Sequence, residues 1–164
     1  VDKKNTLHQR NTSEKLEPVD LSEIVREVIK MVLPRRDLAE RNLKIETRLE
    51  RGVIEGSAVQ LRSMMINLLI NALDAIGEGG VIKLEVLTQD DKVRLHVNDT
   101  GEGMSPDVLK NCRRPFYTTK GNEGTGMGLA MVVDIVKTHQ GEMIISSQAE
   151  KGTQITLCFP RIAE

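Results

Sequence analysis

The chain has 164 residues, 39% hydrophobic and 29% charged, enough for one domain with a real core. Its formal net charge of -1 argues against a nucleic-acid-binding or membrane-binding surface, and no apolar run is long enough to span a bilayer. With no Trp, one Tyr and two Phe, the core has to be built from Leu, Ile, Val and Met. Cys112 and Cys158 match no metal spacing and read as reduced thiols of a cytoplasmic protein.

Residues 1–17 are polar, with scattered apolar positions, and read as a linker or the end of a preceding helix. Asp20 and Glu23 suggest a capping box, after which Leu21, Ile24, Val25, Val28 and Val32 predict a helix that Pro34 ends. Alternation across Leu43, Ile45, Thr47 and Leu49 predicts a strand, and Val53–Glu55 a short one. A long helix is expected from about Ser57 to Ile76, stopped by Gly77, Gly79 and Gly80. Strands at Val81–Leu87 and Lys92–Asn98 flank a polar turn at Asp90-Asp91. Residues 100–125 are rich in Gly, Thr, Lys and Arg, with a short helical stretch near Ser105–Asn111. A loop of that length in a small domain is usually functional. A helix from Gly126 to about Thr138 and strands at Glu142–Ser147 and Thr153–Phe159 complete the chain. The order predicts an α+β two-layer sandwich: a mixed, mostly antiparallel sheet of about five strands, about three helices on one face, and a mobile lid.

The long helix carries a polar stripe, Ser63, Asn67, Asn71 and Asp74, spaced by four, four and three on an otherwise apolar segment. Such a stripe costs free energy unless satisfied, so it either pairs inside the core or lines a site for a polar ligand. On the strand Lys92–Asp99, Val93, Leu95 and Val97 form the apolar face, and alternation puts Asp99 on that same inward side. Thr100-Gly-Glu-Gly103 follows. It is either an Asx-bonded turn or a place where a ligand approaches the backbone. Gly124-Thr-Gly-Met-Gly-Leu129 opens a helix and offers N–H groups and a positive dipole end to phosphate. It is neither a dinucleotide fingerprint nor a P-loop.

In order and spacing these segments resemble the ATP-binding catalytic domain of sensor histidine kinases, the Bergerat fold shared with heat-shock-90-type chaperones, type II topoisomerases and mismatch-repair ATPases. The resemblance covers about residues 18–161, leaving 1–17 as a linker and 162–164 as a tail. Asn67-Leu-Leu-Ile-Asn-Ala-Leu-Asp-Ala75 resembles the family's N box and Asp99-Thr-Gly-Glu-Gly-Met104 its first glycine box. Pro115-Phe-Tyr-Thr-Thr-Lys120 is similar to the lid's phenylalanine box, Gly124–Leu129 to the second glycine box, and Lys151-Gly-Thr153 to the last Gly-Thr element.

The resemblance implies two cofactors, ATP and Mg²⁺. Asn71 would hold Mg²⁺ through its side-chain oxygen, and Asp99 would accept from the adenine amino group. Gly101, Gly103 and Met104 would let the base lie near the backbone, with Thr153 beside it. Gly124, Thr125, Gly126, Met127, Gly128 and Leu129 would wrap the phosphates. Thr119 and Lys120 would come from the lid, Lys120 as the cation for the terminal phosphate, with Arg113 or Arg114 able to help. Hydrolytic relatives are expected to carry a Glu base where Asn67 stands. Asn cannot take a proton, so Asn67 implies transfer rather than hydrolysis and would orient the metal shell or a water. Asp74 departs from a Lys that many members carry, and Arg113-Arg114 from an aromatic and an acidic residue.

None of His8, His96 and His139 lies in a phosphoacceptor pattern. The expected partners are therefore a histidine-bearing dimerisation domain of the same protein and a downstream response regulator, with the isolated domain monomeric. A membrane segment elsewhere in a longer protein is compatible with this. The alternatives are a non-catalytic nucleotide-binding regulatory module and an ATP-hydrolysing clamp.

Overall fold

A computed structural model describes residues 15–33, 39–115 and 128–163. Its first element is a strand that the pattern of residues 1–17 did not announce. Strand β1 (Glu17–Asp20) pairs antiparallel with β3 (Val53–Gly56) as a two-stranded sheet. Helix α1 (Leu21–Val32) follows at once. The Asp20 side chain caps it by accepting from Ser22 N–H at 3.0 Å, one position earlier than the capping box predicts. The same carboxylate accepts from the Ser22 hydroxyl at 2.8 Å and from Gly52 N–H at 3.0 Å, which ties the helix start to the loop before β3.

Strand β2 (Lys44–Leu49) runs parallel to β4 (Val81–Gln89), and between them lie β3 and the long helix α2 (Ala58–Ala75). β4 turns into β5 (Lys92–Asp99) through Asp90, whose φ of 55° suits a tight two-residue turn. After the short helix α3 (Pro106–Asn111) and helix α4 (Gly128–Thr138) come β6 (Glu142–Gln148) and β7 (Gly152–Pro160). The sheet order is β2-β4-β5-β7-β6, with only β2–β4 parallel. The fold is thus the expected two-layer arrangement with a mixed, mostly antiparallel five-stranded sheet. The expected lid lies outside the described residues.

The core fills the space between the sheet and the layer of α1, α2 and α4. Leu21, Val25 and Val28 of α1 meet Met64, Met65, Leu68 and Leu69 of α2. Inward rows of β4 (Ile82, Leu84, Val86), β5 (Val93, Leu95, Val97) and β7 (Ile155, Leu157, Phe159) close it from below. α2 sits centrally, touching both α1 and α4. Its end is held by a long-range cap: the Arg41 guanidinium donates to the carbonyls of Leu73 and Ile76, where a cation complements the helix dipole. Among the described residues no helix is long and apolar enough to cross a membrane. Cys112 and Cys158 are both free thiols, as expected.

Candidate functional site

The polar stripe of α2 is not buried all round. Ser63, Asn67 and Asn71 are half-buried and Asp74 is exposed, while their neighbours Met64, Leu68, Ala72 and Leu73 are in the core. The stripe therefore lies along the margin between α2 and α4. One member uses half its capacity internally: the Asn67 amide NH2 donates to the Ser63 carbonyl at 2.8 Å. Only nitrogen can meet a carbonyl, so Asn67 Oδ1 is turned the other way. It faces the first residue of α4. A methyl built on Gly128 would lie 3.9 Å from Asn67 Oδ1, and 3.6 and 3.8 Å from Asn71 Nδ2 and Oδ1. The two asparagines and the start of α4 thus share one small space. It combines amide oxygens with a helix N-terminus, a combination suited to a cation bridged to an anion.

The second part of the site is at the end of β5. Asp99 and Thr153 are directly opposite on β5 and β7, and both side chains lie on the inner face. Asp99 Oδ1 accepts from Gly101 N–H at 2.9 Å, so the Asx turn is present. Burial pushes the Asp99 carboxyl above its ordinary value of 3.8, against the opposing effect of the Gly101 and Thr153 N–H groups. A carboxylate kept half-buried at such a cost suits an acceptor awaiting a donor.

The glycines beside it are required first by the protein's own backbone. A methyl on Gly101 would run into the Ala75 carbonyl, and Glu102 N–H donates to that carbonyl at 2.9 Å. The turn after Asp99 therefore caps the end of α2 and joins the two parts of the site. Gly103, at φ 66°, abuts the Gln148 carbonyl, and Gly152, at φ 89°, abuts the Asp99 carbonyl. Met104 N–H donates to Ser147 Oγ at 2.8 Å, which ties the same turn to β6.

Of the residues singled out in the sequence, Asn67, Asn71 and Gly128 come together, and so do Asp99, Gly101, Gly103, Met104 and Thr153. Leu129 is half-buried against the core. Thr119, Lys120, Gly124, Thr125, Gly126 and Met127 lie outside the described residues, as does His8. Arg113 is elsewhere: it donates to the Met143 carbonyl at 3.3 Å and lines a cavity of about 370 Å³ with Val136, Lys137 and Gly141. That cavity reaches the far end of α4, where Val136 and Lys137 are about 12–14 Å of helix rise from Gly128, and holds none of the other candidates.

Two residues escaped the reading of the sequence. Ser147 joins Met104 and Thr153. The signal was there, since Met143, Ile145 and Ser147 form an inward row ending in a polar residue, as Val97 and Asp99 do. His139, expected only to pack or be solvated, is buried. Its Nε2 accepts from Ser57 N–H at 3.0 Å and its Nδ1 meets the Ile135 carbonyl at 2.7 Å. The imidazole therefore ties the end of α4 to the start of α2. His96 contacts Thr156 Oγ1 at 3.0 Å on the outer face of the sheet.

Known proteins share this sequence pattern and fold. Residues 56–163 match the family model described as histidine kinase-, DNA gyrase B- and HSP90-like ATPase. Sensor histidine kinase ZraS of Escherichia coli (strain K12) is 34% identical over 145 residues, which are 88% of this chain and 31% of that protein. The chain thus spans about a third of that relative's length. The catalytic domain of histidine kinase ThkA superposes with a TM-score of 0.77 at 27% identity, covering 90% of this chain and 96% of that domain. ThkA in complex with the response regulator protein TrrA gives 0.72 at 25% identity, covering 90% and 42%.

Proposed function

Because the chain belongs to the histidine kinase-, DNA gyrase B- and HSP90-like ATPase family, and its relatives there are sensor histidine kinases, we propose that it binds Mg²⁺·ATP and donates the γ-phosphate to a histidine on a separate dimerisation domain. The observation that carries this reading is the facing of Asn67 and Asn71 onto Gly128, on the helix whose end is capped by the turn after Asp99. Residues 18–161 form the catalytic unit in this reading, and the phosphorylated histidine hands its phosphate to a response regulator in the cytoplasm.

The donor set fits the cofactor. Mg²⁺ takes oxygen ligands and leans on phosphates rather than on an all-protein cage. Among the described residues no group of three or more His, Cys, Asp or Glu could hold a metal. Asn71 would supply an amide oxygen to Mg²⁺, and the ion would neutralise phosphate charge. Asn67 would orient the metal shell or a water, and as an amide it cannot take a proton from an attacking water. Asp99 accepts from the adenine amino group, with Thr153 alongside. Gly101, Gly103 and Met104 shape the base end, and Gly128 and Leu129 open the helix that receives the phosphates. Thr119, Lys120 and Gly124–Met127 complete the phosphate side, with Lys120 countering the terminal phosphate.

Phosphotransfer in trans tests the reading. The chain with γ-labelled ATP and Mg²⁺ is expected to label the histidine of its cognate dimerisation fragment, and nucleotide binding without such labelling would sink the kinase assignment. Titration calorimetry with ADP tests the metal role. Asn71→Ala is expected to abolish the affinity gained with Mg²⁺, and an unchanged metal-dependent gain would refute it.

A further inference from the structure

Ser147 lies in none of the motifs that suggested the nucleotide site, yet its hydroxyl connects three of that site's parts. It meets Met104 N–H at 2.8 Å, the Gly152 carbonyl at 3.0 Å and Thr153 Oγ1 at 2.8 Å. A hydroxyl has one hydrogen and two lone pairs, so the three contacts use it completely. A carbonyl can only accept, which points the Ser147 hydrogen at Gly152. A backbone N–H can only donate, so Met104 takes one lone pair. The remaining lone pair faces Thr153, and the Thr153 hydroxyl must be the donor in that contact.

The consequence falls on the base end of the site. A free threonine hydroxyl rotates and serves a ligand as donor or acceptor. With its hydrogen committed to Ser147, Thr153 offers only oxygen lone pairs. Thr153 stands opposite Asp99 on the inner face of β5 and β7, and Asp99 in its charged form also only accepts. Two acceptors side by side favour a ligand edge that donates. We propose that Ser147 is a positioning residue that fixes the polarity of the Thr153 hydroxyl and so makes the site prefer a purine carrying a 6-amino donor over one without it. This rests on the reading of the site as nucleotide-binding and adds to it a residue that sets base specificity.

The pair ADP and purine riboside diphosphate isolates the effect, since they differ only in the 6-amino group, whereas a 6-oxo purine would also turn N1 from an acceptor into an N–H donor. Affinities of both are measured by calorimetry for wild type, Ser147→Ala, Thr153→Val and the double variant, with thermal melts to confirm folding. Wild type is expected to prefer ADP. Ser147→Ala frees the Thr153 hydroxyl to rotate and is expected to lower the ratio of ADP affinity to purine riboside diphosphate affinity by roughly fivefold, the worth of one neutral hydrogen bond. Thr153→Val removes the acceptor and should lower the ratio similarly, with the double variant showing no further fall. An equal loss of affinity for both nucleotides in Ser147→Ala would reduce Ser147 to a scaffold residue and overturn the proposal. Should Ser147→Ala not fold, Thr153→Val still carries the Met104 and Gly152 bonds of Ser147, and an unchanged ratio there overturns it equally. A wild type that binds ADP but with a ratio insensitive to both changes refutes the polarity argument alone. A wild type that binds neither nucleotide refutes the site itself.

Discussion

Replacing Gly128 by alanine separates folding from ligand binding, because the structure gives the two effects opposite signs. Gly128 is the first described residue of α4 and its φ is not in the left-handed region. Among the described residues an added methyl would meet nothing nearer than Asn71 Nδ2 at 3.6 Å, which is ordinary van der Waals contact. The change therefore introduces no clash with the described residues, while it removes backbone freedom from the unfolded chain, worth about 0.4–1 kcal/mol. In a domain of this size that is a rise in Tm of roughly 1–4 °C. The same methyl would fill the gap between α4 and the oxygens of Asn67 and Asn71, where Mg²⁺ and phosphate are proposed to sit. Displacing the ligand should cost at least about 1.4 kcal/mol, a tenfold weaker Kd. Thermal melts of the free protein and calorimetry with Mg²⁺·ADP read the two effects. A stabilised variant with unchanged Kd would show that this face does not receive the ligand. A destabilised variant would show that the packing around Gly128 is tighter than described.

Other perturbations test the anchors of the site. Asp20→Ala strips the cap from α1 and a partner from Gly52 N–H, and is expected to cost about 1–2 kcal/mol at pH 7 by urea unfolding. Burial works to raise the Asp20 carboxyl, but the Gly52 and Ser22 bonds and Arg51 hold it below 3.8. Its contribution is therefore present above that value and lost as pH falls through the lower folded pKa, and a wild-type advantage undiminished in acid would contradict this. Asp99 has the opposite sign, since burial raises its folded pKa above 3.8. Asp99→Asn should raise Tm of the free protein at pH 7 and abolish ADP binding. The gain in Tm should shrink as pH falls through the folded pKa towards 3.8, and a lowered Tm at pH 7 would refute it. His139→Ala removes the imidazole from Ser57 N–H and from its edge-on contact with Phe159, at a cost of about 3 kcal/mol. Loss of under roughly 1 kcal/mol in denaturant unfolding would mean that the joint between α4 and α2 is redundant. Asn67→Asp sets a carboxylate against the Ser63 carbonyl and should destabilise by about 1–3 kcal/mol, while Asn67→Ala on the same half-buried position costs less. The reverse order of the two Tm values would show that Asn67 does not donate to Ser63.

Most of the architecture was legible in the sequence because helix and strand periods are local. Alternation along Val93–Asp99 determined both the strand and the side on which Asp99 falls. The spacing of Asn67 and Asn71 determined that they share a stripe, and the run Gly77, Gly79 and Gly80 marked where α2 ends. Tertiary structure decided what those residues meet. Glu17–Asp20 is a strand because β3 offers it a partner 33 to 39 residues away, by its pairing of Asp20 with Val53 and Glu17 with Gly56, and not because of any pattern of its own. Gly101 is a glycine because the Ala75 carbonyl occupies the space of a side chain. Ser147 and His139 carry no motif, and their roles come from contacts with Met104, Thr153 and Ser57 that only the folded chain brings within reach. Side-chain period is written into neighbouring residues. The closing of distant segments on one another depends on the whole packed core, and that is where the donors, acceptors and close approaches of this site were settled.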